Sequence, residues 1–492
     1  MNFTLVGGNL TLKTVEEYFE SVKKLKPKVY VAGEKIKNLI EHPNTRPAVN
    51  AIAKTYELAF KPEYKRIMRA KSHITGEEIN RFNHVARSIG DLNLRVELAI
   101  LTSKLIGTCN YRCAGCDVFV ALDSITYEMD KKLGTNYYER FTAYLKYVQE
   151  NDLACSGGLT DPKGDRRLRP FQQPDMYLRV VEKNDEGIIV RGAKLHQSGA
   201  FATHETIILP GLSLREGEED YAVAFAVPNG AKGLTYILQE TPEDAERREV
   251  KNLNYVGLPD YGVRLTCIMI FDDVFIPWDR VFMCGEVNFT RKLVWKFAST
   301  HRMVGAACKV GFGDLIIGAT QAIAEYNGVA EAPHIRSKIS EMIYLNEKSR
   351  ACAIASALKG EPTESGAYFP HDIFANVAKL AAARGFHEMI KYAIDVAGGL
   401  VVTMPSESNL ENPEIREYLK KYLRGVEEVP AERRMRMMKF LQNWVAGPHL
   451  AGAWHGGGSP EAQKLTIYAL SNLKELKALA ESISGVDKIG AK

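Results

Sequence analysis

The chain has 492 residues, 46% of them hydrophobic and 25% charged, with a formal net charge of +4. The length suggests two to four domains, and so small a charge imbalance gives no basis for a nucleic-acid partner. Eight cysteines are too sparse for a disulfide scaffold. The opening MNFTLVGGNLTLKTVEEYF lacks a basic segment before an apolar core, and no apolar run is read as a membrane span, so the expectation is a cytoplasmic protein with no membrane partner.

Helices come first. Thr14-Val-Glu-Glu17 and Thr75-Gly-Glu-Glu78 read as capping boxes, and apolar residues recur at helical spacing to about Ala121. Residues 1–150 are therefore expected to form an N-terminal helical domain. Within it CNYRCAGC places Cys109, Cys113 and Cys116 four and three residues apart, which on a single helix is one face. Clustered thiols in a reducing compartment point to metal or redox chemistry more often than to cross-links. From Gly157 the texture changes to turn residues and β-rich runs, ending near Trp278, so 151–285 is expected to be a β-barrel-like domain. After Thr290 long apolar stripes at helical period return, with Gly360, Gly398 and Gly425 placed as stops. Region 286–492 is expected to pack as a four-helix bundle that includes NPEIREYLKKYLRG.

The bundle opens with WKFASTHRMVGAACKVGFGD, which sets His301 and Cys308 seven residues apart. On a helix both leave one face, about 10 Å apart along the axis. That spacing suits a single zinc poorly and a larger inorganic body better, while a packed histidine and a free cysteine remain the alternative. The Cys-x3-Cys-x2-Cys spacing at 109–116 also occurs in radical-SAM enzymes, where it follows the first strand of a partial barrel; here about 100 helix-like residues precede it. An iron–sulfur cluster needs four protein donors, and Cys109, Cys113, His301 and Cys308 supply them from two segments.

Helices, then a β-domain, then a helical bundle is the order of acyl-CoA dehydrogenase-like flavoproteins, an α+β fold. Cys-x3-Cys at 109–113, FAS-x-H at 297–301, CKVG at 308–311, TDPKGDR at 160–166, GAKLHQSGA at 192–200, FDDVFIP at 271–277, DVAGGL at 395–400 and HGGGSP at 455–460 add detail. Over nearly its whole length the chain resembles the FAD and [4Fe–4S] branch of the 4-hydroxyphenylacetate 3-hydroxylase family, the branch that dehydrates hydroxyacyl-CoA thioesters.

The resemblance implies that Cys109, Cys113, His301 and Cys308 ligate the cluster, with His301 also the base for the C2 proton of an acyl-CoA substrate. Lys309 would lend positive charge, and Ser198 would keep a hydroxyl near the flavin where the family usually has threonine. FAD would be contacted by Thr160, Asp161, Lys163, Gly164, Arg166, His196, Gln197, Ser198 and Gly199. Gly398, Gly399 and Thr403 would reach the FAD of a neighbouring subunit in a homotetramer. The implied activity is that of a lyase or isomerase, with a flavin taking one electron and iron acting as Lewis acid. A flavin-dependent aromatic monooxygenase, or a cofactor-binding paralogue without dehydratase activity, are the alternatives.

Departures from the family pattern are specific. Gly305 stands where the dehydratases carry an acidic tyrosine, Asn110 and Tyr111 stand where a glutamine is usual, and no acid occurs between Gly262 and Phe271 or between Trp444 and Pro460. A general acid is worth a factor of about 10² to 10⁴, roughly 3 to 5 kcal/mol, so another donor must substitute if a hydroxyl is expelled. Tyr111 is one candidate, with aromatic packing as its plainer role, and Cys116 is expected to be a packed thiol outside the ligand set.

Overall fold

The computed structural model describes residues 12–486; residues 1–11, which carry much of the stretch read for a leader, lie outside them. The chain is α+β in helix, sheet, helix order. Thr14 opens the helix Val15–Leu25 as expected. Its Oγ1 accepts from the Glu17 amide at 3.2 Å while Glu17 Oε2 accepts from the Thr14 amide at 2.8 Å, satisfying two amides at the helix start. The box at Thr75 opens no helix. Residues 72–77 instead turn between the antiparallel strands Arg69–Lys71 and Glu78–Asn80. Ser72 Oγ accepts from the amides of Ile74 and Thr75, both at 3.0 Å, and Gly76 takes φ +76°, so local turn bonds prevail over helix propensity.

A six-stranded sheet runs in the order Glu34–Ile36, Lys28–Val31, Leu234–Leu238, Thr266–Pro277, Gly187–Ser198, Arg179–Lys183. Two of these strands come from the stretch expected to be helical, and Lys28–Val31 pairs in parallel with Leu234–Leu238, tying the N-terminal region to the middle of the chain. A second sheet runs Val281–Cys284, Val223–Pro228, Glu205–Ile208, Cys155–Gly158. Val190, Met269 and Phe271 of the first share one apolar core with Phe225 of the second, whose ring meets Phe271 edge-on at 6.0 Å. Each such side chain stabilises the fold by about 1.5 to 3 kcal/mol.

The helix Val287–Tyr326, 40 residues long, organises the C-terminal half. One stretch of it is apolar enough to cross a membrane by length and composition, which corrects the reading that no such run exists; 67% of that stretch is buried inside the protein. It packs against Ile89–Ile106, Pro333–Leu358 and Asp372–Ala397. NPEIREYLKKYLRG does not join this bundle. Its helix, Arg416–Tyr422, has seven residues and buries none, and the N-terminal helix Ile89–Ile106 takes the place instead. Two glycines allow close approach: a Cβ on Gly311 would stand 2.6 Å from the Ile100 carbonyl oxygen, and one on Gly313 would collide with the Asn346 side-chain amide. That amide donates to the Val310 carbonyl at 3.2 Å and to Asp314 at 2.7 Å, so helix and neighbour are also bonded there.

Candidate active site

The helix Ile89–Ile106 ends at Gly107, φ +72°, and the chain does not re-enter a helix until Cys113. Cys109 therefore lies in a loop, and the three clustered cysteines do not share a helix face. The cause is Asn110, whose Oδ1 accepts from the amides of Arg112 at 3.0 Å and Cys113 at 3.2 Å, so the next helix starts at Cys113 and not at Cys109. Arg112 anchors the loop. Its buried guanidinium donates to Thr55 Oγ1 at 3.0 Å, pairs with Asp152 at 3.4 Å and lies 4.5 Å from the Tyr56 ring centroid.

The loop faces the long helix, and Cys109, Cys113, His301 and Cys308 line a single cavity. A hydrogen bond from the Cys113 thiol, with Arg264 and Lys309 nearby, holds the Cys109 thiol down at about 6, whereas the same bond and burial push Cys113 well up. Lys309 Nζ donates to Cys308 Sγ at 3.3 Å. Among the described residues no three His, Cys, Asp or Glu side chains close around a single metal ion. Three thiols and an imidazole, with no carboxylate among the lining residues, form the soft donor class that iron–sulfur clusters take.

His301 is aimed by a buried chain of partners that spacing does not reveal. Its Nδ1 lies 2.8 Å from Asp117 Oδ2, and Asp117 is itself paired with Arg95, both fully buried. A carboxylate held by a guanidinium is an acceptor, so Nδ1 carries the proton and Nε2 is left with its lone pair, the arrangement that orients metal-binding histidines. Phe297 stacks on the ring at 5.1 Å. Arg95 also donates to Cys116, which is fully buried and absent from the cavity wall, so Cys116 sits in the supporting layer.

The opposite wall brings further groups. Arg264 enters from the β region, and its Nε and Nη2 donate to Ser198 Oγ at 3.1 and 2.9 Å. Gly452 makes room, since a Cβ there would stand 2.5 Å from Arg264 Nη1. His449 lines the same wall, buried between Trp444, stacked at 4.5 Å, and Phe312. Behind Gly305 lies Lys379, fully buried, donating to the Ala453 carbonyl at 2.9 Å. Burial, and then the Lys309 ammonium, hold Lys379 down at about 7. Tyr111 points away from the cavity: its hydroxyl accepts from the Leu265 amide at 3.1 Å, and it belongs to the core between the sheets.

The loops assigned to flavin lie side by side, with the Leu195 amide donating to the Thr160 carbonyl at 2.7 Å. Their side chains are partly committed elsewhere. Asp161 is buried, and its Oδ1 accepts from Lys194 Nζ at 2.7 Å and from the Leu178 amide at 3.2 Å. Gln197 is buried and donates to the Leu195 carbonyl at 2.6 Å. Gly164, Arg166 and His196 are exposed, Lys163 is half-buried with φ +68°, and Gly199 is buried at the strand end. Gly398 caps the helix Asp372–Ala397, and Gly399 and Thr403 follow it on the exposed surface, outside the cavity wall.

Asp117, Arg95, Arg264, Lys379 and His449 were not singled out from sequence. A signal existed for two of them: Asp117 interrupts AGCDVFVAL and Lys379 interrupts NVAKLAAA, charges inside apolar helical runs.

Residues 14–283 match the model of the 4-hydroxyphenylacetate 3-hydroxylase N-terminal domain, and 290–485 match its C-terminal domain. The chain is 42% identical to the 4-hydroxybutyryl-CoA dehydratase/vinylacetyl-CoA-Δ-isomerase of Clostridium aminobutyricum over 489 residues, covering 96% of this chain and 100% of that one. It is 26% identical to the 4-hydroxyphenylacetate 3-monooxygenase oxygenase component of Thermus thermophilus, covering 88% of each. Among solved structures, an oxygen-tolerant archaeal 4-hydroxybutyryl-CoA dehydratase from N. maritimus superposes with a TM-score of 0.94 at 40% identity, covering 96% of this chain and 95% of that one. The oxygenase component HpaB in complex with FAD, 24% identical, has the same fold at a TM-score of 0.83, covering 96% and 98%. The resemblance carried by the short motifs is thus borne out, and the chain belongs to the 4-hydroxyphenylacetate 3-hydroxylase family.

Proposed function

We propose that this chain is a FAD- and [4Fe–4S]-dependent enzyme of the 4-hydroxybutyryl-CoA dehydratase type, dehydrating a hydroxyacyl-CoA, shifting a double bond, or both. The observation that carries the reading is the convergence of Cys109, Cys113, His301 and Cys308 on one cavity from segments nearly 200 residues apart in sequence. Those four would hold the cluster. FAD would lie against the 160–166 and 196–199 loops, with the 398–403 surface serving a neighbouring subunit of a cytoplasmic homotetramer.

When bound, the flavin supplies one-electron chemistry and the cluster a Lewis-acidic iron. The chain supplies proton handling and charge. His301, with Nδ1–H donated to Asp117, would take the weakly acidic proton α to a thioester through Nε2 once that nitrogen has left the iron it would otherwise ligate weakly. Lys309 keeps a cation on the Cys308 sulfur, and Arg264, fixed by Ser198, sets a second cation on the facing wall. The acid absent at Gly305 has a neighbour in Lys379, whose Cδ and Cε lie 3.8 and 3.9 Å from where a side chain at 305 would begin. Lys379 is the ionisable group nearest that position, so it is the candidate donor to a departing hydroxyl, provided its Nζ turns from the Ala453 carbonyl toward the cavity.

Anaerobically purified protein tests this directly. About four irons per chain, matching sulfide and FAD are expected, with turnover of 4-hydroxybutyryl-CoA or vinylacetyl-CoA. Absence of iron would move the protein to the oxygenase side of the family. Full cofactor content without turnover of any acyl-CoA would make it a paralogue with another role.

A further inference from the structure

His449 is the cavity group that the proposed chemistry leaves without a task, although its position is tightly specified. It is 3% exposed, held between Trp444 and Phe312, and lines the same wall as Arg264. Its Nε2 lies 3.3 Å from the Arg264 amide nitrogen and 3.3 Å from Thr108 Oγ1. A backbone amide can only donate, so Nε2 must carry a lone pair and the ring proton must sit on Nδ1. Among the described residues Nδ1 has no protein partner, yet it is not among the buried atoms sealed off from one. An N–H on a ring that lines the cavity, unused by the protein and not sealed, is a hydrogen-bond donor held ready for something that enters.

We infer that His449 Nδ1–H donates a hydrogen bond to the thioester carbonyl oxygen of the bound acyl-CoA, polarising it while His301 removes the C2 proton. This rests on the acyl-CoA reading above and adds to it a residue for the substrate's carbonyl. Chemistry favours the carbonyl over the leaving hydroxyl. Burial holds the imidazole's protonation down at about 3, so the ring is neutral, and a neutral imidazole parts with its remaining proton reluctantly. It is therefore a poor proton source and a good fixed dipole, suited to an oxygen on which negative charge builds as the α-proton leaves. Thr108 and the Arg264 amide act as positioning groups that lock the tautomer.

The test compares ligands with and without the carbonyl. Holoenzyme is titrated with butyryl-CoA and with S-butyl-CoA, the thioether that lacks only that oxygen. Wild type should favour the thioester. His449→Leu and His449→Gln should shrink that preference by about fivefold to tenfold, as expected for one lost hydrogen bond, and lower C2 proton exchange by about 10²-fold. His449→Asn should retain most of both, because its amide nitrogen stands as many bonds from Cα as Nδ1 does. Iron and flavin content, measured on each variant, establishes that the site is intact. An unchanged thioester preference in the Leu and Gln variants overturns the assignment. So does an Asn variant as impaired as Leu, or loss of dehydration with C2 exchange intact, which would place the donor on the hydroxyl. If wild-type holoenzyme binds neither ligand, the acyl-CoA reading itself has failed, an outcome distinct from any of these.

Discussion

In the 109–113 and 301–309 segments, reactive side chains face the cavity; in the 160–166 and 196–199 loops, which are not among its lining residues, several end in protein. His301 is tethered through one nitrogen and leaves the other free, and Cys109 and Cys113 bond chiefly to each other. In the loops Asp161 Oδ1 is bonded to Lys194, Gln197 to a neighbouring backbone carbonyl, and Ser198 to Arg264. The difference teaches that polar residues in motifs are of two kinds. Those that react must be held at one end only, whereas those that shape a cofactor loop are best held completely, leaving backbone groups and space to meet the ligand.

Substitutions on the two sides should therefore fail differently. His301→Ala is expected to lower C2 proton exchange of an acyl-CoA by about 10² to 10⁴ while FAD content and melting temperature stay near wild type; undiminished exchange would remove the base from this side. Asp161→Ala, by contrast, should cost about 3 to 5 kcal/mol of stability by leaving Lys194 in the interior without a counter-charge, bonded only to the Leu159 and Leu209 carbonyls. Denaturant unfolding measures it, and FAD loss without destabilisation would show that Asp161 meets the cofactor after all.

Lys379→Met should lower dehydration by about 10²-fold and spare double-bond isomerisation, which expels no hydroxide; equal loss of both would place the lysine's role elsewhere. Asp117→Asn is expected to weaken iron retention or activity by about 10- to 100-fold, the range of outer-shell partners, whereas Cys116→Ala should leave iron content unchanged. The smallest effect is on acid stability. His84, His204 and His449 are buried and neutral, each held down at about 3 against about 6.5 when unfolded. Between those values the unfolded chain binds the extra protons, so stability rises with pH across the window and is lost as pH falls through it. His204→Gln should reduce proton uptake on unfolding near pH 5 by about one.

How much of this was readable from sequence follows the same division. The four cavity residues Cys109, Cys113, His301 and Cys308 were legible because Cys and His are scarce and their spacing on the long helix is periodic. Cys109 was misplaced onto a helix because the local outcome hinged on one side-chain amide, Asn110, capturing two backbone amides. The hairpin at 69–80 was hidden in the same way by Ser72. Arg264 and His449 could not have been found, since ordinary residue types 185 positions apart become a unit only when the helix carrying His449 docks on the strand that follows Arg264. The strands at 28–36 were missed because three- and four-residue strands acquire their identity from the sheet they join, not from a pattern of their own.

The close contacts at Gly311 and Gly313 bear on how the cavity keeps its shape. With Gly311 against the Ile100 carbonyl and Gly313 against the Asn346 side chain, the long helix is held by two neighbours, so the offset between its imidazole and thiol and the thiols across from them is set by the polypeptide. A methyl at Gly311 would press on the Ile100 backbone and disturb that offset without touching any of the four cavity side chains.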